Sequence, residues 1–278
     1  LVYGVLRLIN FAHGDIFMVG AYISFFVATY LVSSDGLGLS QPMTLWLTIV
    51  LTMGLTALVG VTLERIAYRP LRRKGAHRLY VVITALMCGL ILENGNLALL
   101  GATKRKLPEL IEKTVYSIGP LVITNLKVWV IVAAVLVFVF LQTIVTRTKV
   151  GMAMRAVSRD FETAQLMGIR IDSVISVTFI IGSLLAAIGS LLYFTNYQSI
   201  VPLSGSLPGL RAFVAAVFGG IGSIPGAVVG AFLIGICESV IKGSDWSVFS
   251  DAFTFAILIV VLCVKPTGLF GEKVTDKV

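Results

Sequence analysis

The chain has 278 residues, 57% of them hydrophobic and 13% charged, with a mean hydropathy of +0.98. Soluble domains carry about a quarter charged residues, so these values exclude a soluble enzyme or binding module and define an integral membrane protein with several spans. The formal net charge of +8 sits mainly in loops between apolar runs, which is the positive-inside bias of cytoplasmic loops and not a nucleic-acid footprint.

In chain order, the first unusual stretch is "LRLINFAHGD", Leu6 to Asp15, where Arg7, Asn10, His13 and Asp15 interrupt an apolar sequence. The first span follows at Ile16–Val32. Gly14 or Asp15 can start its helix, since an aspartate near an N-terminus caps free amides. Irregular backbone within a membrane is tolerated only where it is buried in protein or faces water. In transporters such breaks often line substrate paths. Asn10, His13 and Asp15 are therefore expected at a helix break beside a translocation path, with Arg7 paired to an acid or to carbonyls. A capped helix start at a packed subunit contact is the other reading of the same residues.

The second and third spans are Met43–Leu63 and Leu79–Leu100. They flank "ERIAYRPLRRKGAHR", which holds six Lys/Arg and is assigned to the cytoplasm. The third span contains "LENGN", whose Glu93 and Asn94 are further path candidates. A loop over about 101–127 carries five bases but is assigned outside; Pro108, Gly119 and Pro120 mark it as an ordered excursion rather than a span.

The fourth span, Val128–Val145, leads to a second basic loop over about 147–172, with five Lys/Arg. Within it Met154, Val157, Phe161, Ala164 and Gly168 recur at +3, +4, +3, +4, an apolar stripe along a helix of about four turns. Arg155, Ser158, Arg159, Glu162 and Gln165 fall largely on the other side. The segment is too short and too charged to span.

The remaining runs are Val174–Phe194, a short Leu207–Gly219, Gly226–Ile241 and Phe249–Val264, followed by a tail with Lys265, Lys273 and Lys277. Gly222, Gly226 and Gly230 stand at i, i+4, i+8 and predict a stripe for close helix packing, which is how helices associate in lipid. The same row reaches Glu238, a membrane carboxylate that faces protein and needs a partner or a wet cavity. Gly182, Ala186 and Ser190 repeat the device. The fold class expected is all-α, a polytopic single membrane domain of about eight segments, short or broken helices included. Continuous rather than alternating apolar runs exclude a barrel.

Cys88, Cys237 and Cys263 lie far apart in apolar runs, and His13 and His77 are the only histidines, so neither a disulfide set nor a metal site is expected. There is no G-x-x-x-x-G-K-[ST] phosphate loop and no catalytic constellation. The chain is expected not to be an enzyme and to hold no cofactor.

"YGVLRLINFAHGDIFMVGAY" closely resembles a motif of the permease subunits of branched-chain amino-acid ABC importers, the LIV-type family. "ERIAYRPLR", "GLRAFVAAVFGGIGSIPGAVVGA" and "KPTGLFG" match it in the same order, and the H-type permease is closer than the M-type. One departure is Glu93, where the family more often has Gln. The resemblance implies a multi-pass inner-membrane importer subunit and one further helix before Leu1. It implies a paralogous M-type second permease, two ATP-binding subunits that hold ATP and Mg, and an external solute-binding protein. It also implies that the 147–172 loop is a coupling helix, with Met154, Arg155, Val157, Arg159, Asp160, Phe161, Ala164 and Gly168 serving ATPase coupling. Branched-chain or related amino acids are the expected solutes; urea or short amides, and an ion-coupled carrier, are the alternatives.

Overall fold

The computed structural model describes residues 2, 10–32, 37–118, 121–265 and 267–271. Arg7, Gly119, Pro120, Lys273 and Lys277 lie outside the described residues. Seven described helices are long and apolar enough to cross a membrane, and Ser206–Gly219 is a shorter apolar one.

Helix α1 spans His13–Val32 and α2 spans Gln41–Leu63, with Pro42 in its first turn, where its missing amide hydrogen costs no helix bond. The base-rich segment expected as a loop is helical instead. Glu64–Tyr68 forms a π turn and α3, Arg69–Arg73, continues it, so one helical rod runs from Gln41 to Arg73. Helix α4 spans Arg78–Leu100, capped by the His77 side chain, which accepts from the Leu79 amide.

The excursion that follows contains an antiparallel pair, β1 (Val115–Ile118) and β2 (Leu121–Thr124), with Val115 opposite Thr124. Before it, Leu107 and Leu110 bury themselves against Ala28 and Leu191. The Arg105 backbone exchanges two 2.9 Å hydrogen bonds with Ile200. The excursion is therefore a cover packed on the bundle.

Helix α5 (Asn125–Arg147) leads into two short helices, α6 (Lys149–Arg159) and α7 (Phe161–Leu166), and then α8 (Ile171–Tyr197). The last group is α9 (Ser206–Gly219), α10 (Ile224–Lys242), a 3₁₀ turn at Ser247–Phe249, and α11 (Ser250–Val264). Ser223 caps α10 by accepting from the Gly226 amide at 3.1 Å, with Pro225 in the first turn.

The core is a triad of α1, α2 and α8. Its contact faces combine rows of small residues with larger ones such as Met18, Phe179 and Phe194. Thr44, Thr48, Thr52, Thr56 and Gly60 recur every fourth residue of α2 and are all buried. On α8, Gly182, Ser183, Ala186, Ala187 and Ser190 are buried. In lipid there is no hydrophobic drive between helices, so close van der Waals approach of small side chains does the holding. A Cβ at Gly20 would meet Ser190 of α8 and Thr56 of α2, which shows how tightly the three axes converge.

The row expected at Gly222, Gly226 and Gly230 is corrected at its first member. Gly222 precedes α10, in the turn that Ser223 ends, and nothing lies within 4 Å of where its Cβ would be. Gly226 and Gly230 do face α9, against Gly219 and Ala215. Ile234 continues that buried row. Cys88 is buried, but Cys263 is exposed on α11 and is not a core residue.

Candidate functional site: two helix starts within the bundle

Two helices begin inside the bundle and meet there. Helix α1 starts at His13 after the turn Phe11–Ala12. Helix α9 starts at Ser206, after the chain has come back from the end of α8 along α1, burying Ile200 against Met18, Ala21 and Tyr22. The starts touch through glycine: a Cβ on Gly14 would lie 3.1 Å from the Gly209 Cα and would press on the Gly205 carbonyl oxygen. A Cβ on Gly182 of α8 would lie 3.6 Å from His13 Cε1. Gly182 is eleven residues from Ile171, about 16 Å along a helix. That is a little under half the length of the 27-residue α8, so the two starts lie near the middle of that helix.

The polar residues read from the opening stretch gather here. Asn10 Oδ1 accepts a 2.7 Å hydrogen bond from the Tyr68 hydroxyl, which the π turn carries into the bundle. Asn10 Nδ2 is buried without a hydrogen-bond partner among the described residues. Asp15, in the first turn of α1, lies against Gly89 of α4, where a Cβ would collide with its Oδ2. One turn further along α4, Glu93 accepts from Ser206 Oγ at 3.4 Å. Among the described residues neither carboxylate has a Lys or Arg within ion-pair distance. Asn94 turns away, its amide donating to the Leu90 carbonyl at 2.8 Å on an exposed face.

Acids within membrane helices are costly, and these two have no cationic partner among the described residues, which marks them for function. Beside them, the first turn of α9 has no side-chain cap. Ser206 N–H bonds the Leu203 carbonyl, Gly209 N–H bonds the Gly205 carbonyl and Pro208 has no amide hydrogen, so Leu207 N–H and the positive end of the helix dipole are what the start of α9 offers an anion. The seam of α1, α4 and α9 thus places two carboxylates close to the Leu207 amide at the dipole-positive end of α9.

Glu238 is not at this seam. It is bonded to Arg211 (3.1 Å) and Lys242 (2.5 Å), and Arg211 also holds Asp251 (2.5 Å). The cluster closes on itself and ties α9, α10 and α11 together. Its charges are spent on one another.

The 147–172 region differs from the continuous helix expected. Asp160 leaves the helix at φ −155°, ψ 115°, and its carboxylate accepts from the amides of Glu162 and Thr163, so α6 ends and α7 begins there. The stripe also faces inward. Met154, Val157 and Ala164 are buried against Val174, with Ile171, Val177 and Ile181 of α8 packed around them. Phe161 is half-buried and joins this cluster to that of Tyr68, Ile175 and Phe179. Arg155 bonds the Val145 carbonyl, which pins α6 to the end of α5. Arg159 is exposed. Gly168 takes φ +81°, a left-handed turn that lets the Ile169 amide return to the Ala164 carbonyl and close α7. Val150 (40%) and Met152 (62%) are exposed on α6, and the most exposed apolar side chains of the region are Leu166 (87%) and Met167 (78%) at the end of α7.

One polar group escaped the sequence reading. Glu64 is fully buried and accepts from Arg72 (3.2 Å) and Ser176 (2.8 Å). Arg72 also bonds Asp172 at the start of α8, and Arg69 and Arg73 bond the same carboxylate. Its signal was present: Glu64, Tyr68 and Arg72 continue the four-residue row of Thr44 to Gly60.

Seven described apolar helices long enough to cross a membrane, two helices starting inside the bundle, and two carboxylates beside them with no Lys or Arg partner among the described residues define a polytopic membrane protein with a polar seam. The chain belongs to the family described as "Branched-chain amino acid transport system / permease component", which matches residues 1–262. It is 36% identical to the high-affinity branched-chain amino acid transport system permease protein BraD of Pseudomonas aeruginosa, over all of this chain and 91% of that protein. It is 34% identical to the LivH permease protein of the corresponding Escherichia coli K12 system, over all of this chain and 90% of the relative. A probable branched-chain amino acid transport permease of Methanocaldococcus jannaschii is 30% identical, with 98% and 85% covered. No solved structure matches the chain.

Proposed function

We propose that the chain is the H-type permease subunit of an ATP-driven importer of branched-chain amino acids in the inner membrane. It works beside a paralogous M-type permease and two ATP-binding subunits, which hold ATP and Mg, and receives solute from an external binding protein. The observation that carries the solute side is the seam of Asp15 and Glu93 against the uncapped start of α9. A zwitterion crossing there presents its ammonium to the two carboxylates and its carboxylate to the Leu207 amide at the positive end of α9. The apolar side chain is left to the surrounding helices.

The coupling side rests on connectivity. Helices α6 and α7 continue into α8, and Asp172 at the start of α8 is held by three arginines of the rod that extends α2. Force applied at the exposed Leu166–Met167 tip therefore reaches two of the three core helices, and α1 packs on both. The test is reconstitution with the candidate partner subunits in proteoliposomes, with ATP enclosed on the cytoplasmic side. Uptake of labelled leucine that needs both ATP and the binding protein is expected. Uptake driven by an ion gradient without ATP would overturn the reading.

A further inference from the structure

The base-rich end of the α2 rod holds more positive charge than its acids neutralise. Arg65, Arg69, Arg72, Arg73 and Lys74 stand against only Glu64 and Asp172. The Asp172 carboxylate has two oxygens for three guanidinium groups, each with five N–H donors. Arg65 and Lys74 have no acidic partner among the described residues, and both are exposed. Together with Arg69, Pro70 and Arg73 they line an open depression of about 460 Å³.

The depression adjoins an apolar track. Leu51, Leu58 and Arg65 recur at seven-residue intervals on one helix face, and Leu51 (43%), Leu58 (63%) and Ile66 (73%) are exposed. Acyl chains along that face place a headgroup at the level of Arg65. Basic pockets at the cytoplasmic ends of membrane helices bind anionic lipid headgroups in this way, and arginine forks match phosphate oxygens in pairs.

We infer that Arg65, Arg69, Arg73 and Lys74 form a binding site for the phosphate of an anionic inner-leaflet lipid, whose chains lie along Leu58 and Leu51. The site is separate from the seam and does not depend on which solute passes. A lipid held there braces the α2 rod beside the Asp172 network, the joint through which α8 and α2 are tied.

The test uses the full permease purified with its partner subunits in a neutral detergent. Phosphatidylglycerol, phosphatidylcholine of the same chain length, or inorganic phosphate is added, and thermal unfolding is followed. Phosphatidylglycerol is expected to raise the melting temperature in a saturable way, while phosphatidylcholine and inorganic phosphate leave it unchanged. In Arg65→Gln/Lys74→Gln that rise is expected to be lost, with the melting temperature in phosphatidylcholine unaltered. The charge-keeping Arg65→Lys is expected to retain most of it. Mass spectrometry of lipids co-purified with single Arg65→Gln gives a second readout if the double variant is recovered poorly, and depletion of phosphatidylglycerol is expected there. An equal rise in wild type and the glutamine variants would overturn the site. A rise given by inorganic phosphate alone would overturn the lipid assignment.

Discussion

Asp15 of α1 lies directly on Gly89 of α4, with no space between them for a single methyl group. Gly89 therefore lets a charged carboxylate approach another helix backbone within the membrane. Overpacking of a fitted contact costs about 1–3 kcal/mol. Gly89→Val is expected to push Asp15 off the seam and to lower the uptake rate of the reconstituted importer about tenfold, while subunit assembly is retained. Uptake assays paired with size-exclusion profiles check this; normal uptake would show that the contact is unimportant for transport.

Glu64 has no exposed surface, and Arg72 and Ser176 supply its donors. Removing one partner of a buried ion pair typically costs about 3–5 kcal/mol because the other charge is stranded. Glu64→Ala is expected to lower the melting temperature of the purified complex strongly. Glu64→Gln is expected to do so less, since an amide oxygen still accepts from Arg72 or Ser176. Asp172→Asn is expected to be milder than Glu64→Ala, because Asp172 is 30% exposed and water screens its pairs.

The tip of α7 gives a prediction that separates folding from coupling. Leu166 and Met167 are exposed and touch little of their own chain, whereas Met154 and Val157 are buried on α8. Leu166→Ser/Met167→Ser is expected to leave thermal stability unchanged and to abolish co-purification of the ATP-binding subunits. Met154→Ala is expected to lower stability by about 2–5 kcal/mol, as for other buried large-to-small changes. If the serine pair retains full ATPase association and transport, this tip is not the docking element.

Asp160 makes a narrower prediction. Its carboxylate caps α7 through two amides and also accepts from the Thr163 hydroxyl. Loss of such a cap costs about 1 kcal/mol. Asp160→Ala is expected to let α6 and α7 fray at their joint, seen as faster hydrogen exchange at residues 160–164, with exchange in α8 unchanged.

The spans were legible in the sequence because length and hydropathy alone define them. The helix from Glu64 to Arg73 was not, because charge density there reads as a loop; it is helical because its arginines find Glu64 and Asp172 across to α8. The stripe at Met154, Val157 and Ala164 was read as a face for ATPase coupling, but it is buried within this chain. Periodicity says that a face is covered, not by what, and here the cover is α8. Gly222 kept the spacing of Gly226 and Gly230, yet Ser223 caps the helix one residue later and leaves it outside. The polar character of the Asn10–Asp15 stretch was visible in the sequence. Its contacts with Tyr68, Gly89 and Gly205 join residues far apart in the chain, and no local pattern encodes them.

The central claim is that solute crosses at the seam of Asp15 and Glu93. The measurement is ATP-dependent uptake of labelled leucine by proteoliposomes containing the complete importer, with Asp15→Asn, Glu93→Gln and both together. The double variant is expected to lose uptake by about tenfold or more, equivalent to at least about 1.4 kcal/mol of lost stabilisation along the path. ATPase association and hydrolysis stimulated by the binding protein are expected to persist. Uptake at the wild-type rate in the double variant would contradict the account.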